Sequence, residues 1–180
     1  MPREIQIKSI KNRLPVRYRY SPLVRAFMLS LSAVIFAYSI FFLVRFVNAD
    51  TPKFFKILPL MITFVALDSI LRQTTSLNCV YFYKDRIQFS YLLKRKLEIP
   101  YNSILTMQLD RKITYSLKIG YTNSAGVKQQ FKTPASFPKI LEIILNIADL
   151  SPNVELNDFM AKAVEHLRSK AEVQDAEQQI

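Results

Sequence analysis

Glycine, cysteine and histidine are nearly missing from this chain: 180 residues hold two glycines, Gly120 and Gly126, one cysteine, Cys79, and one histidine, His166. Two glycines cannot build a Gly-rich phosphate cradle, a dinucleotide fingerprint or a G-x-S-x-G nucleophile elbow. One cysteine and one histidine exclude a Cys/His zinc site, an internal disulfide and a Cys-x-x-Cys redox pair. Among the 14 Asp+Glu, no spacing singles out an acid/base pair. Apolar residues and positive charge are what the chain has in quantity: 50% is hydrophobic, and 25 Lys+Arg give a formal net charge of +11. A charge excess of one sign resists compaction while the apolar fraction needs burial, so the two are expected to be segregated along the sequence. The length sets a prior of one domain with an appendage.

The first apolar stretch, Ala26 to Val44, runs 19 residues without a charge between Arg25 and Arg45. At about 1.5 Å per residue it covers roughly 28 Å, the hydrocarbon thickness of a bilayer. It exceeds the apolar core of a secretory signal, and no small-x-small cleavage pattern follows it, so permanent anchoring is expected. Phe54 to Leu71 is a second such stretch, with Lys56 near one end, Asp68 near the other and Pro59 about one turn in. Lys56 can snorkel, and Asp68 is expected at the interface or in a helix–helix hydrogen bond. Joined by the polar connector Asn48 to Lys53, helices over about 23–47 and 54–71 form an antiparallel transmembrane hairpin, residues 23–72 in all. Residues 1–22 read as a basic cytoplasmic segment, with Tyr18 and Tyr20 as an interfacial belt. Net charge is +6 over residues 1–25, +1 over 26–71, +7 over 72–150 and −3 over 151–180. The positive-inside rule then puts both termini on the cytoplasmic side.

After Leu71 the apolar period changes from helical to alternating. Asn78–Tyr83 and Arg86–Leu93 are separated by a Lys84-Asp85 turn, and are followed by Leu97–Tyr101, Ile104–Leu109, Ile113–Tyr121 and Val127–Lys132. About six strands at such spacing predict an antiparallel meander, with Thr122–Gly126 as turn chemistry. Ser136 and Pro138 predict a helix start, and Ile140, Leu141, Ile144, Leu145 and Ala148 form its apolar stripe, which caps the sheet in a domain over 77–150. An acidic amphipathic helix follows in 151–180, its stripe made of Leu156, Phe159, Met160, Ala163, Val164 and Leu167. It is expected to dock on the domain or on a partner, with a disordered tail past Glu172.

A two-helix hairpin followed by a meander and one helix resembles the bacterial membrane-anchored pleckstrin-homology-like (PH-like) proteins. The resemblance is carried by Val80-Tyr81-Phe82-Tyr83-Lys84-Asp85-Arg86-Ile87, by Leu97-Glu98-Ile99-Pro100-Tyr101-Asn102-Ser103-Ile104 and by Phe137 to Leu150. It implies an α+β membrane protein with a PH-like sheet domain. Phosphoinositide-binding members of the wider superfamily use basic residues around the first hairpin, which here correspond to Lys84, Arg86, Lys94, Arg95 and Lys96. The chain has Lys94-Arg95-Lys96 where such members show Lys/Arg-x-Arg, and its first hairpin is very short, so the resemblance brings the fold and not the ligand. The photosystem I assembly factors of thylakoid membranes share the hairpin-then-sheet layout, but their glycine-rich elements are absent.

Each chemical candidate has a plain reading. His166 stands between polar neighbours on an amphipathic helix and is expected in solvent, and Cys79 is expected to be a half-buried strand thiol. Arg17, Arg19, Arg25, Lys94, Arg95, Lys96, Arg111 and Lys112 are the expected contacts to anionic headgroups, each contributing on the order of 1 kcal/mol near the surface. Leu156, Phe159, Met160, Val164 and Leu167 are the expected partner-docking face. The aromatics alternate toward a core and form no stacking platform, so nucleic acid is not an expected partner. The sequence thus predicts a non-catalytic, cofactor-free scaffold that presents an interaction domain to a membrane or cytoplasmic protein. The competing expectation is an accessory or assembly subunit of a larger membrane complex, photosynthetic or respiratory.

Overall fold

The computed structural model describes residue 10 and residues 13–48, 50–111 and 115–177; the side chains of residue 111 and of residues 172–177 fall outside the description. The chain forms two compact units, a helical one of residues 20–78 with 91–95, and a sheet unit made from the remaining segments.

In the helical unit, α1 (Pro22–Phe46) and α2 (Lys53–Thr75) are both long and apolar enough to cross a membrane. Only 6% and 11% of their most apolar stretches are buried, which separates them from core helices of a soluble protein. Pro22 opens α1, where its missing N–H costs nothing. One polar pair joins the two helices, Ser32 Oγ and Ser69 Oγ lying 2.7 Å apart, while the buried Thr63 hydroxyl donates to the Pro59 carbonyl of its own helix. Asp68 pairs with Arg72 one turn on, at 2.7 Å.

α2 runs four residues past the expected end at Leu71. The cause is local hydrogen bonding: Thr74 and Thr75 hydroxyls donate back to the Ile70 and Leu71 carbonyls at 2.9 and 2.7 Å, and Ser76 N–H donates to the Arg72 carbonyl at 2.9 Å. The Ser76 bond satisfies one of the carbonyls that the helix C-terminus otherwise leaves open.

The sheet unit differs from a six-strand meander. Among the described residues, eight strands form two four-stranded sheets, ordered β1-β2-β3-β4 and β7-β6-β5-β8. The strands are β1 (Val16–Arg19), β2 (Leu77–Phe82), β3 (Arg86–Tyr91), β4 (Leu97–Pro100), β5 (Ile104–Arg111), β6 (Tyr115–Thr122), β7 (Lys128–Pro134) and the two-residue β8 (Glu155–Leu156). Pro100 and the 3-10 turn Tyr101–Ser103 redirect the chain from the first sheet to the second. Proline cannot donate to a ladder, so pairing stops there.

β1 comes from the segment expected to be a solvated basic tail. It pairs antiparallel with β2, Tyr18 opposite Val80 and Arg19 opposite Cys79. Tyr18 is 5% exposed and meets Phe82 edge to face at 5.7 Å, so it is a core residue of the sheet unit and does not belong to an interfacial belt. β8 adds to β5 in parallel, with Thr106 opposite Glu155 and Met107 opposite Leu156.

Between the sheets Phe89 of β3 stacks on Phe131 of β7, ring centroids 4.0 Å apart. Phe82, Ile87 and Ile99 from one sheet and Ile104, Met107, Leu117 and Ile119 from the other are fully buried with them. The Thr122–Gly126 turn is as expected: Asn123 Oδ1 accepts the Ala125 and Val127 N–H groups, and Gly126 takes φ +76°.

α3 (Ile140–Leu150) starts four residues after the expected cap at Ser136, because Lys139 interrupts the path with a left-handed φ of 57°. α4 (Asp158–Glu177) is capped by Asn157, whose Oδ1 accepts the Met160 N–H at 3.0 Å. Its backbone continues through Glu177, past the point where disorder was expected.

Candidate functional site

The sheet unit carries a pocket of about 390 Å³ along β1 and the start of α3, lined by Ile10, Arg13, Val16, Arg17, Tyr18, Arg19, Pro138, Lys139 and Glu142. Among the described residues its rim holds four cationic side chains, Arg13, Arg17, Arg19 and Lys139, against one carboxylate, that of Glu142. Strand alternation explains the arrangement: Tyr18 points to the core while its neighbours Arg17 and Arg19 stay exposed.

A buried polar network ties together three of the lining residues, Ile10, Tyr18 and Glu142. Asn146, 1% exposed, accepts the Ile10 N–H at 3.0 Å through Oδ1, and its amide donates to the Glu142 carbonyl at 2.7 Å. The same amide reaches the Tyr18 hydroxyl at 3.4 Å. One α3 side chain therefore ties down both β1 and the segment before it. Glu142 is buried and pairs with Lys139 Nζ at 3.1 Å. Burial and the neighbouring Glu142 carboxylate push the Tyr18 phenol well above its ordinary value, so it stays protonated.

Arg17 is held in a fixed orientation. Its Nε donates to Cys79 Sγ at 3.1 Å and its guanidinium lies 5.0 Å from the Tyr81 ring centroid. The Cys79 hydrogen bond raises the Arg17 pKa further, keeping the cation permanent. Tyr81 stacks on Tyr83 at 6.2 Å, and Arg86 covers Tyr83 at 5.4 Å, which gives an Arg-Tyr-Tyr-Arg row across the outer face of β1 to β3. The cysteine is 1% exposed, more buried than expected.

No protein-family model matches the chain, and no curated protein matches it either.

The structure brings only some of the expected contacts together. Arg17 and Arg19 share the pocket rim. Lys94 lies in the helical unit with its Nζ 5.9 Å from the Tyr91 ring, Arg95 follows it, and both are exposed, as is Lys96 at the edge of the sheet unit. Arg111 ends β5 opposite Tyr115, its side chain outside the described residues, as is all of Lys112.

Arg25 does not present a free cation to headgroups. It is 8% exposed and closes the end of α2, donating to Asn78 Oδ1 at 2.9 Å, to the Ser76 carbonyl and hydroxyl at 3.2 Å, and to the Gln73 carbonyl. The helix C-terminus attracts a cation, and this one is consumed in that role.

The expected docking face is also occupied. Met160, Val164 and Leu167 are 1%, 3% and 6% exposed, buried in the sheet unit's own core, and Leu156 lies in β8 instead of on a helix. Only Phe159 remains outside, at 60% exposure. An ion pair between Arg168 and Asp149 further fixes α4 to α3. His166 is exposed, as expected.

Sequence reasoning missed Arg13, Lys139, Glu142 and Asn146. A basic residue every second position from 13 to 19, interrupted only at Pro15, was the available signal, since it is the pattern of a strand with one charged face.

Proposed function

We propose that this chain is a membrane-anchored, non-catalytic binding protein whose sheet domain, of PH-like type, holds a protein partner at an anionic membrane surface from the cytoplasmic side. The observation that carries the reading is the pair of long apolar helices, exposed along their length and inserted between two paired strands of a folded domain. Exposed apolar surface of that extent is tolerated in lipid and aggregates in water. With α4 committed to its own core, the β1 edge and its four-cation pocket are the contact surface that fits an extended acidic segment of the partner. Anchoring raises the local concentration of a partner in the same membrane, so a modest intrinsic affinity suffices.

A photo-crosslinker at Arg19, used in intact membranes with mass spectrometry, tests this reading. A reproducible adduct to one protein, lost in Lys139→Glu, is the expected result. Absence of any adduct, or release of the chain by alkaline carbonate, overturns it.

A second reading, a subunit of a larger membrane complex, is favoured by one feature of the helical unit. An apolar groove of about 380 Å³ is lined by Val34, Ile35, Tyr38, Ser39 and Phe42 of α1 and by Leu58, Pro59 and Ile62 of α2. Stable comigration at high mass in blue-native electrophoresis supports that reading, and a low-mass species supports the first.

A further inference from the structure

The loop from Tyr91 to Lys96 between β3 and β4 has the wrong chemistry for a turn in water. It reads Tyr-Leu-Leu-Lys-Arg-Lys, without Gly, Pro, Asn or Asp, and its two leucines face outward, Leu92 at 49% and Leu93 at 76% exposure. Lys94, Arg95 and Lys96 follow directly, all exposed. Large apolar side chains next to cations in one exposed loop are the pattern of an interfacial membrane contact, with the leucines in the acyl boundary and the cations among the phosphates.

The position of the loop in the fold is an independent observation. Residues 91–95 belong to the same compact unit as the two apolar helices. β2 starts at Leu77, immediately after α2, and turns back into β3 through Tyr83, whose N–H donates to the Arg86 carbonyl at 2.9 Å. β3 is the neighbour of β2, so its last residues return to the level of Leu77. That is the helix-pair end where Arg25 closes the α2 C-terminus and Arg72 pairs with Asp68. The exposed apolar surface of the helix pair ends at that level.

From these two observations we infer that Leu92 and Leu93 insert as a wedge into the interfacial zone of the bilayer crossed by α1 and α2, held there by Lys94 and Arg95 on anionic phosphates. The inference rests on the membrane reading above and adds a third point of contact to the two helices. A third contact constrains tilt of the helix pair about the in-plane line that joins its two helices, a motion that two neighbouring helices alone leave free.

The test uses the full-length chain in a Cys79→Ser background, with an environment-sensitive fluorophore at Leu93→Cys. Two companion chains carry it at Leu31→Cys within α1 or at Ser124→Cys in the exposed β6–β7 turn. Each is reconstituted into phosphatidylcholine vesicles with or without phosphatidylglycerol, containing lipids spin-labelled near the headgroup or deep in the chain. Leu93 is expected to give a blue shift and quenching by the shallow label, both greater with phosphatidylglycerol. The phosphatidylglycerol increment is expected to vanish in Lys94→Glu/Arg95→Glu. If Leu93 matches Ser124 while Leu31 is quenched by the deep label, the wedge is overturned and the helices still span. If Leu31 is also unquenched, the membrane reading itself falls and the wedge falls with it.

Discussion

At the scale of single residues, several side chains that look solvated in the sequence carry the fold. Arg25 is the clearest case, a cation beside an apolar stretch whose guanidinium is used up on Gln73, Ser76 and Asn78. Arg25→Ala leaves those acceptors without their charged donor, and hydrogen bonds to a charged group contribute about 1.5–3 kcal/mol. Arg25→Lys keeps the charge but not the fork that spans three residues, and is expected to recover less than half of the loss. Thermal unfolding of the detergent-solubilised protein, with protease cleavage around Ser76 as a local readout, checks both variants. The buried phenols make a second prediction. Burial, with Glu142 for Tyr18 and Asp85 for Tyr101, raises both above the ordinary tyrosine range. Below about pH 9 neither state ionises and these groups give no slope. Above about pH 10 the unfolded chain loses phenolic protons that the folded chain keeps, so stability falls as pH rises. Tyr18→Phe/Tyr101→Phe should flatten that fall in denaturant titrations at stepped pH. It should also lower stability at neutral pH, since Tyr101 donates to the Tyr83 carbonyl at 2.9 Å.

At the scale of elements, the legible parts were those with long periodic signals. The two apolar helices, the Lys84-Asp85 turn and most of the Thr122–Gly126 turn stand where the pattern puts them, because each depends on neighbours in sequence. Of the expected face Ile113, Tyr115, Leu117, Ile119 and Tyr121, the last three are buried, Tyr115 is exposed and Ile113 lies outside the described residues. Alternation is silent about which strands pair, so the division into two sheets, the parallel β8 and the joining role of Phe89 on Phe131 were not readable. β1 was hidden more thoroughly: four residues, two of them arginine, whose partner strand lies some sixty residues away. The candidate site suffered for the same reason, since Arg13, Lys139, Glu142 and Asn146 meet only after β1 docks near α3. α4 shows the ambiguity of an amphipathic stripe, which looks the same whether it covers its own domain or waits for a partner. The burial of its stripe makes a prediction. Met160→Ala and Leu167→Ala should each destabilise the chain by about 2–5 kcal/mol, as buried large-to-small changes do. Phe159→Ala, at an exposed position, should stay within about 0.5 kcal/mol of the parent. Equal and small effects for all three, measured by denaturant unfolding, would return α4 to the role of a free docking helix.

At the scale of the whole molecule, chain order is the unusual property: the sheet unit begins before the helices and resumes after them. The chain leaves it at Arg19 and re-enters at Cys79, and these two residues oppose each other at the end of the β1–β2 pair. Both apolar helices therefore occupy the position of a hairpin loop. Long insertions at such a place cost little, because the loop-closure term grows only logarithmically with length. The opposed ends also specify how to remove the insertion. A chain with residues 20–78 replaced by Asn-Gly has the two-residue connection that antiparallel strands favour, and it keeps Arg19, Cys79 and every contact of Tyr18 in the core. It is expected to be soluble, to unfold cooperatively and to retain the near-ultraviolet signal of its buried tyrosines. A chain that simply starts at Cys79 lacks β1, Tyr18 and the Ile10 contact to Asn146. It leaves β2, with Val80 and Phe82, as an open sheet edge, a template for aggregation. That second chain is expected to precipitate or to unfold without cooperativity. If both behave alike, β1 is dispensable, and the first nineteen residues revert to the charged tail that their composition alone describes.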